Sequence, residues 1–220
     1  MQFAIGELSE AFTEKHGIET EIIIGSSGNL TAQIRSGAPY DVFVSADMQY
    51  PQYLFKRGLG QQKPDIYAYG QLVLWSCKPG IHPKLDSLKS REVAHIAIPN
   101  PELAPYGKAA KEVLINQQLY HQITPKLVFG ESIAQTNQFI RTGAAELGFT
   151  ALSVVMSPQL EGVGSWTLLP RDQYTPIAQG ILVLSNAQKS PDNAVKFHTF
   201  LQSETGQQIL NKYGYLSKNE

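Results

Sequence analysis

Three short stretches set hydroxyls and glycines at the point where an apolar run gives way to a helix-like segment. They are Gly25-Ser26-Ser27-Gly28, Ala104-Pro105-Tyr106-Gly107 and Gly130-Glu131-Ser132-Ile133. The first N–H groups of a helix have no intrahelical acceptors. Together with the positive end of the helix dipole they make a ready site for a small anion. In an open α/β sheet such junctions lie at the carboxyl ends of the strands, where ligands bind. A serine at this position is also the commonest N-cap, worth ~1 kcal/mol with no ligand involved. For Ser132 taken alone, capping is the stronger reading. For Ser26-Ser27, flanked by two glycines that give up backbone entropy, capping and ligand contact stand level.

Other chemistries find little support. Gly25-Ser26-Ser27-Gly28 is not G-x-S-x-G, so no nucleophile elbow is indicated. The sequence has neither G-x-x-x-x-G-K-[ST] nor G-x-G-x-x-G, which removes the usual nucleotide cradles. His16, His82, His95, His121 and His198 are dispersed, without metal-ligand spacing. Cys77 is the only cysteine, so no intrachain disulfide forms, and after "LVLW" it reads as a small buried apolar residue. Asp47 is placed to cap the helix that follows it rather than to act as an acid. From the residues alone, the first reading is a binding module for a small anion.

The elements that must position these junctions alternate. Ile5, Leu8, Ala11 and Phe12 share one helical face, and Gly17 stops that helix. "IETEIIIG" reads as a strand entering a buried sheet. "NLTAQIRSG" is a helix, "YDVFVSA" a strand, and "MQYPQYLFKRG" a helix with Pro51 in its first turn. "QLVLWSC" and "VAHIAIP" are strands and "GKAAKEVLINQQ" a helix. "KLVFG", "SIAQTNQFIRTG" and "AELGFTA" follow as strand, helix and strand, then "AQGILVLS" as a strand. Two amphipathic stretches run from Pro191 to Tyr213. This pattern implies an α/β fold with mostly parallel sheets flanked by helices. The chain opens on a helix, so the first sheet is expected to be one strand short, its first N-terminal strand missing.

Composition narrows the function class. With 220 residues, 42% hydrophobic and 17% charged, the chain is a soluble globular protein with room for one large or two small domains. A net charge of −1 with scattered Lys and Arg argues against a nucleic-acid partner. No apolar run approaches the ~20 residues that span a bilayer, so no direct membrane insertion is expected. The opening "MQFAIGELSEAF" is helix-like and is not a secretory leader.

Six blocks carry a resemblance: "GSSGNLTAQI", "GAPYDVFVSAD", "YGQLVLWSCKPG", "HIAIPNPELAPYGKAAKEVL", "GESIAQTNQFIRTGAAELGFTAL" and "FLQSETGQQILNKYGY". In this order, over essentially the whole chain, they resemble the periplasmic molybdate-binding proteins, solute receptors of ABC importers. The resemblance implies the two-lobe type II periplasmic-binding-protein fold, with residues 1–76 and 184–220 as lobe I and 77–183 as lobe II. It implies a non-enzyme that binds molybdate or tungstate without a cofactor, the molybdenum arriving as an oxyanion rather than as a metal cation. The implied partner is an ABC transporter permease, the location periplasmic and the receptor a monomer. Ser27 matches the family's binding serine, Tyr106 a donor at the start of the second lobe's helix, and Ile133 an apolar residue that binds through its main-chain N–H. Ser26 and Ser132 are their neighbours in the oxyanion-binding set. Closure is implied at the crossing strands "LVLWSC" and "GILVLS".

Two departures stand out. Where some members place a tyrosine hydroxyl after the "LGxxx" strand, this chain has Ala151, and Tyr106 is a candidate to supply that hydroxyl. The family's first strand and the hydroxyl-bearing loop after it would precede Met1. Alternatives of the same fold are the ligand-sensing domain of a transcriptional regulator, a receptor for another small oxyanion, and a porphobilinogen-deaminase-like transferase. For the transferase, Cys77 on an apolar strand is poorly placed for cofactor attachment.

Overall fold

A computed structural model describes residues 3–185 and 191–218. In chain order its elements are α1 (Ala4–His16), α2 (Ser27–Arg35), β1 (Val42–Ser45), α3 (Gln49–Lys56), β2 (Asp65–Gly70), β3 (Leu72–Ser76) and β4 (Ile96–Pro99). Then come α4 (Pro105–Asn116), α5 (Tyr120–Ile123), β5 (Leu127–Gly130), α6 (Ile133–Thr142), β6 (Leu147–Ala151), α7 (Leu152–Val155) and β7 (Ser165–Leu168). The chain closes with β8 (Ile177–Val183), α8 (Pro191–Leu201) and α9 (Glu204–Lys212).

The chain forms two compact units, Met1–Gly70 with Ala178–Glu220 and Gln71–Ile177. The division therefore falls at Gly70/Gln71 and Ile177/Ala178, where the sequence suggested 76/77 and 183/184. The sheets give the reason: β3 is built into the sheet of the second unit, and β8 is the middle strand of the first.

In the first unit the sheet order is β1-β8-β2. Helix α1 packs Ala4, Leu8 and Phe12 into a core with Tyr67, Ile181, Phe197, Phe200 and Leu210. Phe12 meets the edges of Phe197 and Phe200 at centroid distances of 5.1 and 5.5 Å. As the sequence indicates, α1 ends at Gly17, whose positive φ of 65° lets its N–H bond Thr13 O. A smaller core, Ile34, Phe43, Leu54 and Leu182, joins α2 and α3 to this sheet.

The second unit has sheet order β5-β4-β6-β3-β7 around Leu72, Leu74, Trp75, Ile96, Ile98, Val113, Leu147 and Phe149. Helix α6 lies against β6, its Ile140 over Gly148; a Cβ on Gly148 would come within 2.5 Å of Ile140 Cδ1. Thr150 on β6 donates its hydroxyl to Asn137 Oδ1 on α6 at 2.5 Å, a second tie across the same surface.

Two expectations need correction. The sheets are mixed rather than mostly parallel: β4 pairs parallel with β5 and β6, but β3 with β6, β3 with β7 and β1 with β8 are antiparallel. Parallel neighbours need a crossover to carry the chain back. α4 with α5 does this between β4 and β5, and α6 does it between β5 and β6. Strands β3 and β8, which carry the chain into and out of the second unit, have no such crossover. The second correction concerns "IETEIIIG". Residues 18–25 form no strand, and Ile22, Ile23 and Ile24 are 38%, 46% and 56% exposed. A β-branched run fits a half-buried pleated surface, and among the described residues no strand pairs with this one.

Candidate functional site

Helix α2 starts on Ser26, an N-cap in extended conformation (φ −67°, ψ 146°) whose Oγ accepts from Asn29 N at 3.2 Å. The main chain of Leu30 already bonds Ser26 O at 2.9 Å. Helix geometry then leaves the N–H groups of Ser27 and Gly28 without intrahelical acceptors. Ser27 Oγ accepts from Ala46 N, 19 residues away, at 3.2 Å. A hydroxyl has one proton to donate and two lone pairs. With one lone pair taken by Ala46, the Ser27 O–H is held as a donor directed away from that amide. Thr31 Oγ1 donates to Ser27 O at 2.7 Å and fixes the residue from the helix side.

Helix α6 starts in the same way. Ser132 is the N-cap, extended at φ −149° and ψ 166°, and its Oγ accepts from Gln135 N at 3.2 Å. The Gln135 side chain reaches back and accepts from Glu131 N at 2.7 Å, a capping box displaced by one residue. Buried Thr136 donates both its N–H and its hydroxyl to Ser132 O, at 3.0 and 2.9 Å. Gly130 makes this turn possible: a Cβ there would lie 2.5 Å from Thr136 Oγ1. The groups left without intrahelical acceptors are the N–H groups of Ile133 and Ala134. The Ile133 side chain, partly buried, packs against the second unit's core.

Helix α4 starts differently. Ala104 is an extended N-cap without a side-chain bond and Pro105 holds the first position, where its missing N–H costs nothing. Tyr106, at the second position, is buried in the second unit's core. Gly107 packs so closely on the end of β4 that a Cβ would sit 2.0 Å from Pro99 O. Ala151 ends β6 and precedes α7, buried and without a hydroxyl to offer.

The sequence therefore located the helix starts, and the structure shows Ser26 and Ser132 capping them. Each unit holds its own set: Ser26 and Ser27 in the first, Tyr106, Ser132 and Ile133 in the second. Sequence reading missed Ala46 as the partner of Ser27, and the Gly28 and Ala134 N–H groups; only the helix start itself signals those two. Asp47 does cap, accepting from Tyr50 N at 3.1 Å. Burial pushes its carboxyl above the ordinary value, against the N–H groups of Tyr50 and Gln49 and the Ser45 hydroxyl. No group of three or more His, Cys, Asp or Glu side chains placed to hold a metal ion occurs among the described residues. At both serine-capped starts every hydrogen bond described above joins neutral groups. This suits a multiply charged oxyanion, because neutral donors bury no unpaired charge when no ligand is present.

The bacterial extracellular solute-binding protein family profile matches residues 1–216. The molybdate-binding protein ModA of Rhodobacter capsulatus is 38% identical over 214 residues, 96% of this chain and 83% of that protein. ModA of Azotobacter vinelandii is also 38% identical, over 95% of this chain and 83% of its own length. The solved Azotobacter vinelandii periplasmic molybdate-binding protein superposes with a TM-score of 0.87 at 34% identity, covering 97% of this chain and 94% of that one.

Proposed function

We propose, from the premise that this chain belongs to the bacterial extracellular solute-binding protein family, that it captures molybdate or tungstate outside the cytoplasm and delivers it to the permease of an ABC importer. The observation that carries this reading is the shared construction of the starts of α2 and α6. In each, a serine N-cap satisfies the third N–H and leaves the first two for a ligand. Two relatives 38% identical to this chain carry the name molybdate-binding protein, which supports molybdate as the oxyanion.

In this reading α2 offers an oxyanion the Ser27 hydroxyl and the N–H groups of Ser27 and Gly28. Helix α6 offers the N–H groups of Ile133 and Ala134, and α4 offers Tyr106. Ser26 and Ser132 hold the helix starts through their oxygens and keep a hydroxyl proton to donate. Every donor is neutral, so the bound form is the fully deprotonated tetrahedral dianion, which offers acceptors only. A protonated oxyanion would set its own O–H against an N–H. The chemistry required is recognition, with no bond made or broken.

Thermal unfolding with molybdate, tungstate, sulfate and phosphate tests this. A ligand present at 100 times its Kd adds about 2.7 kcal/mol. For a chain of this size that raises Tm by roughly 5–10 °C. Molybdate and tungstate are expected to give such a rise. No rise with either anion at millimolar concentration would overturn the reading.

A further inference from the structure

We infer that Gln179 is a positioning residue of the oxyanion site, holding Ala46 so that the Ser27 hydroxyl is presented as a donor; this rests on the function proposed above. Gln179 lies on β8 and is 1% exposed. Its Nε2 donates to Ala46 O at 3.0 Å, while Ala46 N donates to Ser27 Oγ at 3.2 Å. Ala46 is thus clamped through its carbonyl by β8, and through its N–H it fixes the rotor of the hydroxyl that faces the ligand. The neighbouring residue shows how closely the strand carries this turn. Gly180 pairs with Ser45, and a Cβ on it would lie 2.7 Å from Asp47 O, 2.8 Å from Met48 Sδ and 2.9 Å from Pro51 Cγ. The turn from Ala46 to Met48 rests directly on β8, and its position follows that strand.

A buried glutamine on a strand of otherwise apolar residues needs a reason. In "IAQGILV" the six other residues are apolar or glycine, and any of the apolar ones would pack there at less desolvation cost. Gln179 supplies a donor to a carbonyl one residue from the end of β1, where the ladder no longer reaches. A strand residue is a stiffer anchor than a loop residue, and rigid support of a ligand-contacting group sharpens selectivity.

The test uses Gln179→Leu, Ser27→Ala and the double variant of the full chain, with two readouts. Amide exchange of Ala46 in the ligand-free protein reports the clamp alone. It is expected to accelerate at least tenfold in Gln179→Leu, with the amides of α4 and α6 unchanged. Calorimetric titration with molybdate reports the consequence. Gln179→Leu is expected to lose about tenfold in affinity, the size of one hydrogen bond to a charged acceptor. In the Ser27→Ala background the same change is expected to lose less than twofold, because the hydroxyl it positions is gone. Gln179→Glu adds a rescue: its affinity, relative to wild type, recovers as pH falls and the neutral carboxyl becomes able to donate to Ala46 O. Unchanged Ala46 exchange, or an equal loss in both backgrounds, would overturn the assignment. A wild-type protein that does not bind molybdate would remove the oxyanion reading, and Ala46 exchange alone would then decide the clamp.

Discussion

Replacing Ile133 by proline should cost binding without costing the fold. Proline at the first position of a helix removes an N–H that has no intrahelical acceptor and brings a φ suited to the helix. The preceding residue must then be extended, and Ser132 already is, at φ −149° and ψ 166°. The cap survives as well, because Ser132 Oγ is bonded by Gln135 N rather than by residue 133. What disappears, on the proposed function, is one main-chain donor to a charged oxyanion, worth about 1.5–3 kcal/mol. Affinity should therefore fall about 10- to 150-fold. Ile133→Val is the control: it trims a partly buried side chain at about 0.5–1.5 kcal/mol of stability and keeps the N–H. Calorimetry with molybdate and thermal unfolding of both variants provide the readouts. A proline variant that binds like wild type, or a valine variant that loses as much affinity, would refute the main-chain role.

Glu146 accepts from Ala94 N at 3.1 Å, His95 N at 2.8 Å and Lys78 Nζ at 3.4 Å, in a side chain 12% exposed. Burial raises its carboxyl, but the N–H groups of His95 and Glu146 and the Lys78 ammonium outweigh this and hold it below 4.5. Between that lowered value and 4.5 the unfolded chain binds more protons, so the stabilisation is present above 4.5 and lost as pH falls through the folded value. Glu146→Gln should cost about 1.5 kcal/mol near neutrality and flatten this acid-side slope in melts from pH 3 to 7; an unchanged slope would contradict the assignment. Ile24→Ala should change stability by no more than about 0.5 kcal/mol in chemical denaturation, as an exposed site does. A loss of 2 kcal/mol or more would mean that Ile24 is buried in a sheet.

The helix starts were legible because capping is local: Ser26 with Asn29 and Ser132 with Gln135 are bonds of i to i+3, written in three or four residues of sequence. Helices α1, α8 and α9 were legible from spacing, since their apolar faces are long enough to show the helical period. The run at Ile22–Ile24 misled because strand propensity is realised only against a partner, and a partner is a property of the fold rather than of the run. β2 and β7 escaped notice for the opposite reason: "DIYAYG" is aromatic rather than uniformly apolar, and all of "SWTL" is exposed on the sheet edge. Sheet direction at β3 and β8 was out of reach, since fully apolar strands look alike in parallel and antiparallel pairs. Most important for the site, the bond from Ala46 to Ser27 spans 19 residues and that from Gln179 to Ala46 spans 133. Neither residue type nor local spacing announces such contacts.

Calorimetric titration of the purified chain with molybdate and with sulfate tests the central claim most directly. In the proposed reading, donors fixed on a rigid helix start suit one oxyanion radius, and a smaller anion leaves some of them unbonded. Molybdate is expected to bind at one site per chain, with sulfate at least about tenfold weaker, a difference of about 1.4 kcal/mol or more. Equal affinities for the two anions, or no heat with molybdate, would contradict it.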